Sequence, residues 1–192
     1  MKQKHPHLAV LAGLLLAVTT GQPITSLAAS VDEQLQALQL DIPRQRLPAP
    51  DFALRDLSGR TVRLNDYKGQ LILLNFWATF CKPCRDEMPA LAALAHDFRA
   101  QGLAVLAVAV DRGNRNSVQQ FVSEHDINFD VPLDPDGQVR NDYEIDALPT
   151  SYLIGKDGRF IARALGDRHW DNTAFRSLIG ALLTEDTEVA VE

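Results

Sequence analysis

Two runs of residues leave this chain little freedom in how it folds. Residues 71–77 (Leu-Ile-Leu-Leu-Asn-Phe-Trp) are apolar at nearly every position, and residues 103–110 are eight positions without a polar side chain. A strand with one wet face alternates. A run that is apolar throughout is expected for a strand buried on both faces, as in a parallel sheet. Between the runs, Met88, Leu91, Ala95 and Phe98 recur at helical spacing, and Gly102 stands where that helix should stop. Strand, helix and strand with buried parallel runs form a βαβ unit, whose crossover is right-handed. The predicted class is therefore α/β, with a central mixed sheet flanked by helices.

The flanking segments add smaller pieces. Residues 52–54 and 61–64 bracket Leu57-Ser58-Gly59-Arg60, an N-terminal β-hairpin signal. Val118, Phe121 and Val122 mark the inner face of a helix over 116–125, followed by a short strand at 131–133, an inserted helix–strand element. A helical turn is expected at 138–143. Residues 151–154 and 160–165 flank Gly155-Lys156-Asp157-Gly158, a second hairpin with strong turn chemistry. Asp171 is the expected cap of a last helix that points Phe175, Leu178, Ile179 and Leu182 inward. Residues 31–40 carry a weak amphipathic pattern through Val31, Leu35 and Leu38. The proline-bearing stretch 42–50 should run extended, so 31–50 reads as a tether or N-terminal arm, with disorder an equal alternative.

The chemistry lies between the two apolar runs. The chain has two cysteines, both in Cys81-Lys82-Pro83-Cys84, where the first strand ends and the helix opens. A helix N-terminus stabilises negative charge, so Cys81 is the expected nucleophile, with Lys82 as a nearby positive charge. Pro83 fits a first helical turn, where no N–H is required. Cys84 lies deeper and should resolve a mixed disulfide. The alternatives are a structural bridge or half a zinc site. A bridge over two intervening residues would constrain the unfolded chain little. Zinc takes about four ligands, and the five histidines are scattered. Glu87 follows Cys84 by three residues, close to one helical turn. It either approaches Cys84 and the site floor or faces solvent. Trp77 is expected to shield the site from the core side, Trp170 to pack, His96 to be solvated, and Asp111 to serve a loop or cap.

Residues 1–28 stand apart. Lys2 and Lys4 precede an apolar run at 8–18, and small residues follow at Ser26 and Ala28, the pattern of a secretory signal peptide cut after Ala28 or Ser30. An uncleaved membrane anchor is the alternative. Export makes a disulfide chemically allowed. Removing the leader takes away two lysines and no acid, so the net charge becomes 17 − 25 = −8, which argues against nucleic-acid binding. The expected organisation is a signal at 1–28, an arm at 29–47, one folded domain at 48–184 and an acidic tail at 185–192.

These motifs together resemble the thioredoxin-fold, extracytoplasmic thiol–disulfide oxidoreductases of the TlpA/ResA type. The resemblance covers about residues 48–183 and rests on Ala49-Pro50-Asp51-Phe52, residues 64–69 (Leu-Asn-Asp-Tyr-Lys-Gly), residues 74–89 around the cysteines, and Leu148-Pro149-Thr150. It implies a redox-active disulfide between Cys81 and Cys84, with Glu87 tuning the thiols and relaying protons. It also implies a cis Pro149 facing the dithiol, with Leu148, Pro149 and Thr150 meeting an extended substrate chain. Phe80 stands where the family has tryptophan and would supply a flat apolar contact. Residues 143–149 (Tyr-Glu-Ile-Asp-Ala-Leu-Pro) differ from the Gly-Val-x-Gly-x-Pro-Glu-like stretch of the cytochrome c maturation branch. The resemblance further implies a periplasmic, monomeric disulfide reductase with no cofactor and no metal, acting on thiols or disulfides of exported proteins and re-reduced by a membrane electron donor of the thioredoxin-dependent type. Apocytochrome c is one of several open substrates. The same chemistry run backwards gives a disulfide-forming oxidant. A Cu(I)-handling module is the non-enzymatic alternative, without Met-rich or His-rich support. A peroxidase would need Pro-x-x-x-Thr-x-x-Cys, but Leu74 and Ala78 occupy the proline and threonine positions.

Overall fold

The computed structural model describes residues 29–185. The expected signal segment and almost all of the acidic tail lie outside them. Twelve helices and strands follow in chain order: α1 (Val31–Ala37), β1 (Ala53–Asp56), β2 (Thr61–Arg63), β3 (Leu71–Trp77), α2 (Lys82–Phe98), β4 (Leu103–Ala109), α3 (Arg115–Glu124), β5 (Pro132–Leu133), α4 (Gln138–Asp142), β6 (Thr150–Ile154), β7 (Phe160–Leu165) and α5 (Thr173–Glu185).

The strands form one seven-stranded sheet in the order β2-β1-β5-β4-β3-β6-β7. The two apolar runs lie at its centre as parallel neighbours, Leu71 opposite Leu103 through Trp77 opposite Ala109, and every residue of both strands is buried. The β1–β2 hairpin is the predicted one, and the inserted α3–β5 element wedges a short parallel strand between β4 and β1. β6 and β7 run antiparallel on the other side of β3.

The period of two along each strand sorts side chains into two cores. On one face Leu71, Leu73 and Trp77 pack with α1, α2, α3 and α5; on the other, Ile72, Leu74 and Phe76 pack with Phe52, Val139, Tyr143 and Tyr152. This alternation places Asn75, the one polar residue of β3, on the face that α2 covers. Its register partner on β6 is Ser151.

Residues 31–50 are ordered and packed rather than loose. Ser30 and Glu33 make a reciprocal capping box at the start of α1, and Val31, Leu35 and Leu40 are buried. Each such burial stabilises by about 1.5–3 kcal/mol, enough to hold a seven-residue helix that would not persist alone. The chain then runs along the outer edge of β7, with Asp41 bridged to Arg163 and Pro48 to Arg159. At α5 the structure corrects the expected cap. Asn172, not Asp171, accepts the backbone N–H of Phe175 on its side-chain oxygen, at 2.9 Å.

Candidate functional site

The site lies where β3 and β4 end. After Trp77 the chain crosses Ala78, Thr79 and Phe80 and enters α2 at Cys81. Asp111, just past β4, is buried, and its carboxylate accepts the Thr79 backbone N–H at 3.1 Å on both oxygens and the Thr79 hydroxyl. From the opposite side, Arg85 Nη1 donates to the Thr79 carbonyl at 2.7 Å. The loop is thus clamped at both its N–H and C=O groups. Phe80 is left outward, 72% exposed.

Cys81 and Cys84 are joined in a disulfide. Cys81 is the N-cap of α2, and its sulfur accepts the Cys84 backbone N–H at 3.3 Å. The two sulfurs are unequal: Cys81 is partly exposed, whereas Cys84 is fully buried. An incoming thiolate therefore meets Cys81, and Cys84 is sealed behind it. Pro83 sits in the first turn of α2, as its missing N–H allows. The Lys82 ammonium pairs with Asp86 Oδ2 at 2.5 Å, one turn along the exposed face of α2. Both side chains are exposed, so the pairing only partly offsets the positive charge at the start of α2.

Glu87 is only 3% exposed, so it does not face solvent. It lies one turn past Cys84 on the buried side of α2. Its Oε1 accepts from Asn75 Nδ2 at 2.7 Å, and its Oε2 accepts the Arg168 backbone N–H and the Trp170 indole N–H, each at 3.1 Å. Burial pushes its carboxyl up to about 7, and the three donated hydrogen bonds only partly counter that. Trp170 thus packs against Phe175, as expected, and also holds Glu87. Trp77 is a core residue with its indole N–H on the Ala107 carbonyl at 3.3 Å and its ring against Phe121.

The Leu148–Pro149 peptide bond is cis. Phe76 at the end of β3 is opposite Thr150, so this loop stands beside the start of the Cys81 loop. Leu148 and Cys81 both pack against both cores. Pro149 and Thr150 are buried, and the Thr150 hydroxyl donates to the Ala147 carbonyl at 2.8 Å, which fixes the loop from within. Phe80 and Leu148 therefore offer the accessible apolar surface of the predicted set. Leu165, the register partner of Thr150 on β7, is 46% exposed. His96 is solvated beside Asp97, as expected. Among the described residues, no group of three or more His, Cys, Asp or Glu side chains is placed to hold a metal ion.

A disulfide with one sulfur open and the other sealed, set at a helix start, is built to exchange with the thiols of another molecule. The architecture around it is the thioredoxin fold, and the protein is a thiol–disulfide oxidoreductase. Residues 46–163 match the model of the AhpC/TSA family, and the chain belongs to that family, in its TlpA/ResA-type branch. It is 38% identical over 120 residues to the thiol-disulfide oxidoreductase ResA of Bacillus thuringiensis subsp. konkukian, covering 62% of this chain and 69% of the relative. It is 44% identical over 111 residues to ResA of Geobacillus thermodenitrificans, covering 58% of this chain and 63% of the relative. A crystal structure of a candidate thiol:disulfide interchange protein DsbE from Chlorobium tepidum superposes with a TM-score of 0.67 at 34% identity, over 72% of this chain and 97% of that one.

Proposed function

We propose that the protein acts outside the cytosol as a disulfide reductase of other exported proteins. The observation that carries the direction is the charge arrangement around the dithiol. A couple is oxidising when its thiolate is well stabilised. Here Lys82 is engaged by Asp86, and a buried carboxyl lies one turn from Cys84. The start of α2 and the Arg85 guanidinium on the Thr79 carbonyl are left to favour a Cys81 thiolate, against the paired Lys82 and the buried Glu87, so the thiolate is only modestly favoured and the reduced pair gives up its electrons. The leader-like residues 1–28 support the location. Among the described residues, no helix is long and apolar enough to cross a membrane.

The reaction follows from the unequal sulfurs. The Cys81 thiolate attacks one sulfur of the substrate disulfide. A Cys81–substrate bond forms, the substrate S–S bond breaks, and one substrate thiolate leaves. Cys84 then loses its proton and attacks the Cys81 sulfur. The intramolecular disulfide forms, and the second substrate sulfur leaves. Two electrons have passed to the substrate, and a membrane electron donor of the thioredoxin-dependent type restores the dithiol. Glu87, close to neutral in its titration, is suited to receive the Cys84 proton. Phe80 and Leu148 supply the contact for the substrate chain.

The test is a Cys84→Ser variant mixed with exported proteins. It should accumulate mixed disulfides through Cys81 that thiol reductants release. Absence of such adducts, with Cys81 still reactive toward a small alkylating agent, contradicts the proposal.

A further inference from the structure

The surroundings of Glu87 suit a carboxylate and offer an acidic hydrogen nowhere to go. The Arg168 backbone N–H and the Trp170 indole N–H occupy Oε2, and neither group can accept a hydrogen bond. A proton on Glu87 must therefore sit on Oε1, which faces Asn75. The Asn75 amide is fully buried. Its nitrogen donates both hydrogens, to Glu87 Oε1 at 2.7 Å and to Ser151 Oγ at 2.9 Å. Its Oδ1 has no hydrogen-bond partner among the described residues. An unpaired buried acceptor is costly and calls for a reason.

A half-turn of the amide about its last bond exchanges oxygen and nitrogen with almost no change of shape. The oxygen, with two lone pairs, would then accept from the Glu87 carboxylic acid and from the Ser151 hydroxyl, which can donate as well as accept. One end of the amide is orphaned in either orientation, so that cost largely cancels. We infer that Asn75 is a positioning residue whose amide turns over when Glu87 takes up a proton, switching from donor to acceptor together with Ser151. The unpaired oxygen is the acceptor held in reserve for the protonated state. The turnover matches the amide to either state of Glu87, so the carboxyl can gain or lose its proton without leaving α2.

The charged groups near Glu87 are few. On α2, Cys84 is uncharged in the disulfide. On the segment between β7 and α5, the charge of Asp167 favours protonation of Glu87, and Arg168 turns Nη1 onto the Asp167 carbonyl. From β3 and β6 come Asn75 and Ser151, which do not titrate. The inference concerns the oxidised protein and holds whichever way electrons flow.

The experiment is a pH titration of the isotope-labelled, oxidised full chain by NMR, following the Glu87 carboxyl carbon and the Asn75 side-chain amide together. The two should share one midpoint. Contacts from the Asn75 amide hydrogens to the Ser151 β-hydrogens should be present at high pH and lost at low pH. In Glu87→Gln the pH response of Asn75 should vanish. The inference is overturned if the amide contacts persist through the Glu87 titration, if Glu87 does not titrate, or if the Asn75 response survives in Glu87→Gln.

Discussion

Glu87 should make the oxidised protein less stable as pH rises through the neutral range, and Glu87→Gln should remove that dependence. The carboxyl stands at about 7 in the folded chain against an ordinary 4.5, because burial disfavours its charged form. At about 1.4 kcal/mol per pH unit, the difference amounts to about 3 kcal/mol. Below pH 4.5 the group is protonated folded or unfolded, and the penalty is absent. Between 4.5 and about 7 the unfolded chain releases the proton while the folded chain keeps it, so stability is lost as pH rises. Above about 7 the loss is complete. In the oxidised protein no thiol titrates alongside it. Urea melts of wild type and Glu87→Gln without reductant, from about pH 4 to about pH 9, read the effect as a difference curve. The variant should gain about 3 kcal/mol on wild type across that range. Parallel curves would refute the reasoning, because they would mean the buried carboxyl does not change its charge there.

Three further outcomes follow from the same geometry. Asp86→Ala should free the Lys82 ammonium to favour the Cys81 thiolate and raise the reduction potential by roughly 10–20 mV, an unchanged or lower potential being contrary. Phe80→Ala should leave stability within about 0.5 kcal/mol, since the ring is outside the core. It should lower kcat/KM for a protein disulfide about tenfold while sparing a small-molecule disulfide. Asp111→Ala should cost about 1–3 kcal/mol in thermal melts and expose the Thr79 amide to hydrogen exchange, because that carboxylate accepts both Thr79 donors.

Much of the fold was legible because burial wrote itself into the chain. The continuous apolar runs could be satisfied only at the centre of a sheet, and they form β3 and β4 as read. The face of α2 through Met88, Leu91, Ala95 and Phe98 is likewise the buried one. The N-terminal arm was half legible: Val31 and Leu35 stood out as an apolar stripe, but the backbone bridges of Asp41 and Pro48 to β7 leave no mark in a side-chain pattern. Asp171 and Asn172 are adjacent and both suited to capping, so one residue of helix phase decided between them. At the site, Cys81 and Cys84 were plain from spacing. The surroundings of Glu87 were not, since Asn75, Arg168 and Trp170 reach it across 12, 81 and 83 residues of chain. One signal was available: a single asparagine inside a run otherwise apolar must find a buried partner.

The reduction potential of the Cys81–Cys84 couple tests the central claim most directly. Equilibration of the protein against redox buffers should give a value near or below roughly −250 mV, in the range of reductants of this fold. A value near roughly −120 mV would mark an oxidant, contradict the charge argument built on Lys82, Asp86 and Glu87, and reverse the proposed flow of electrons.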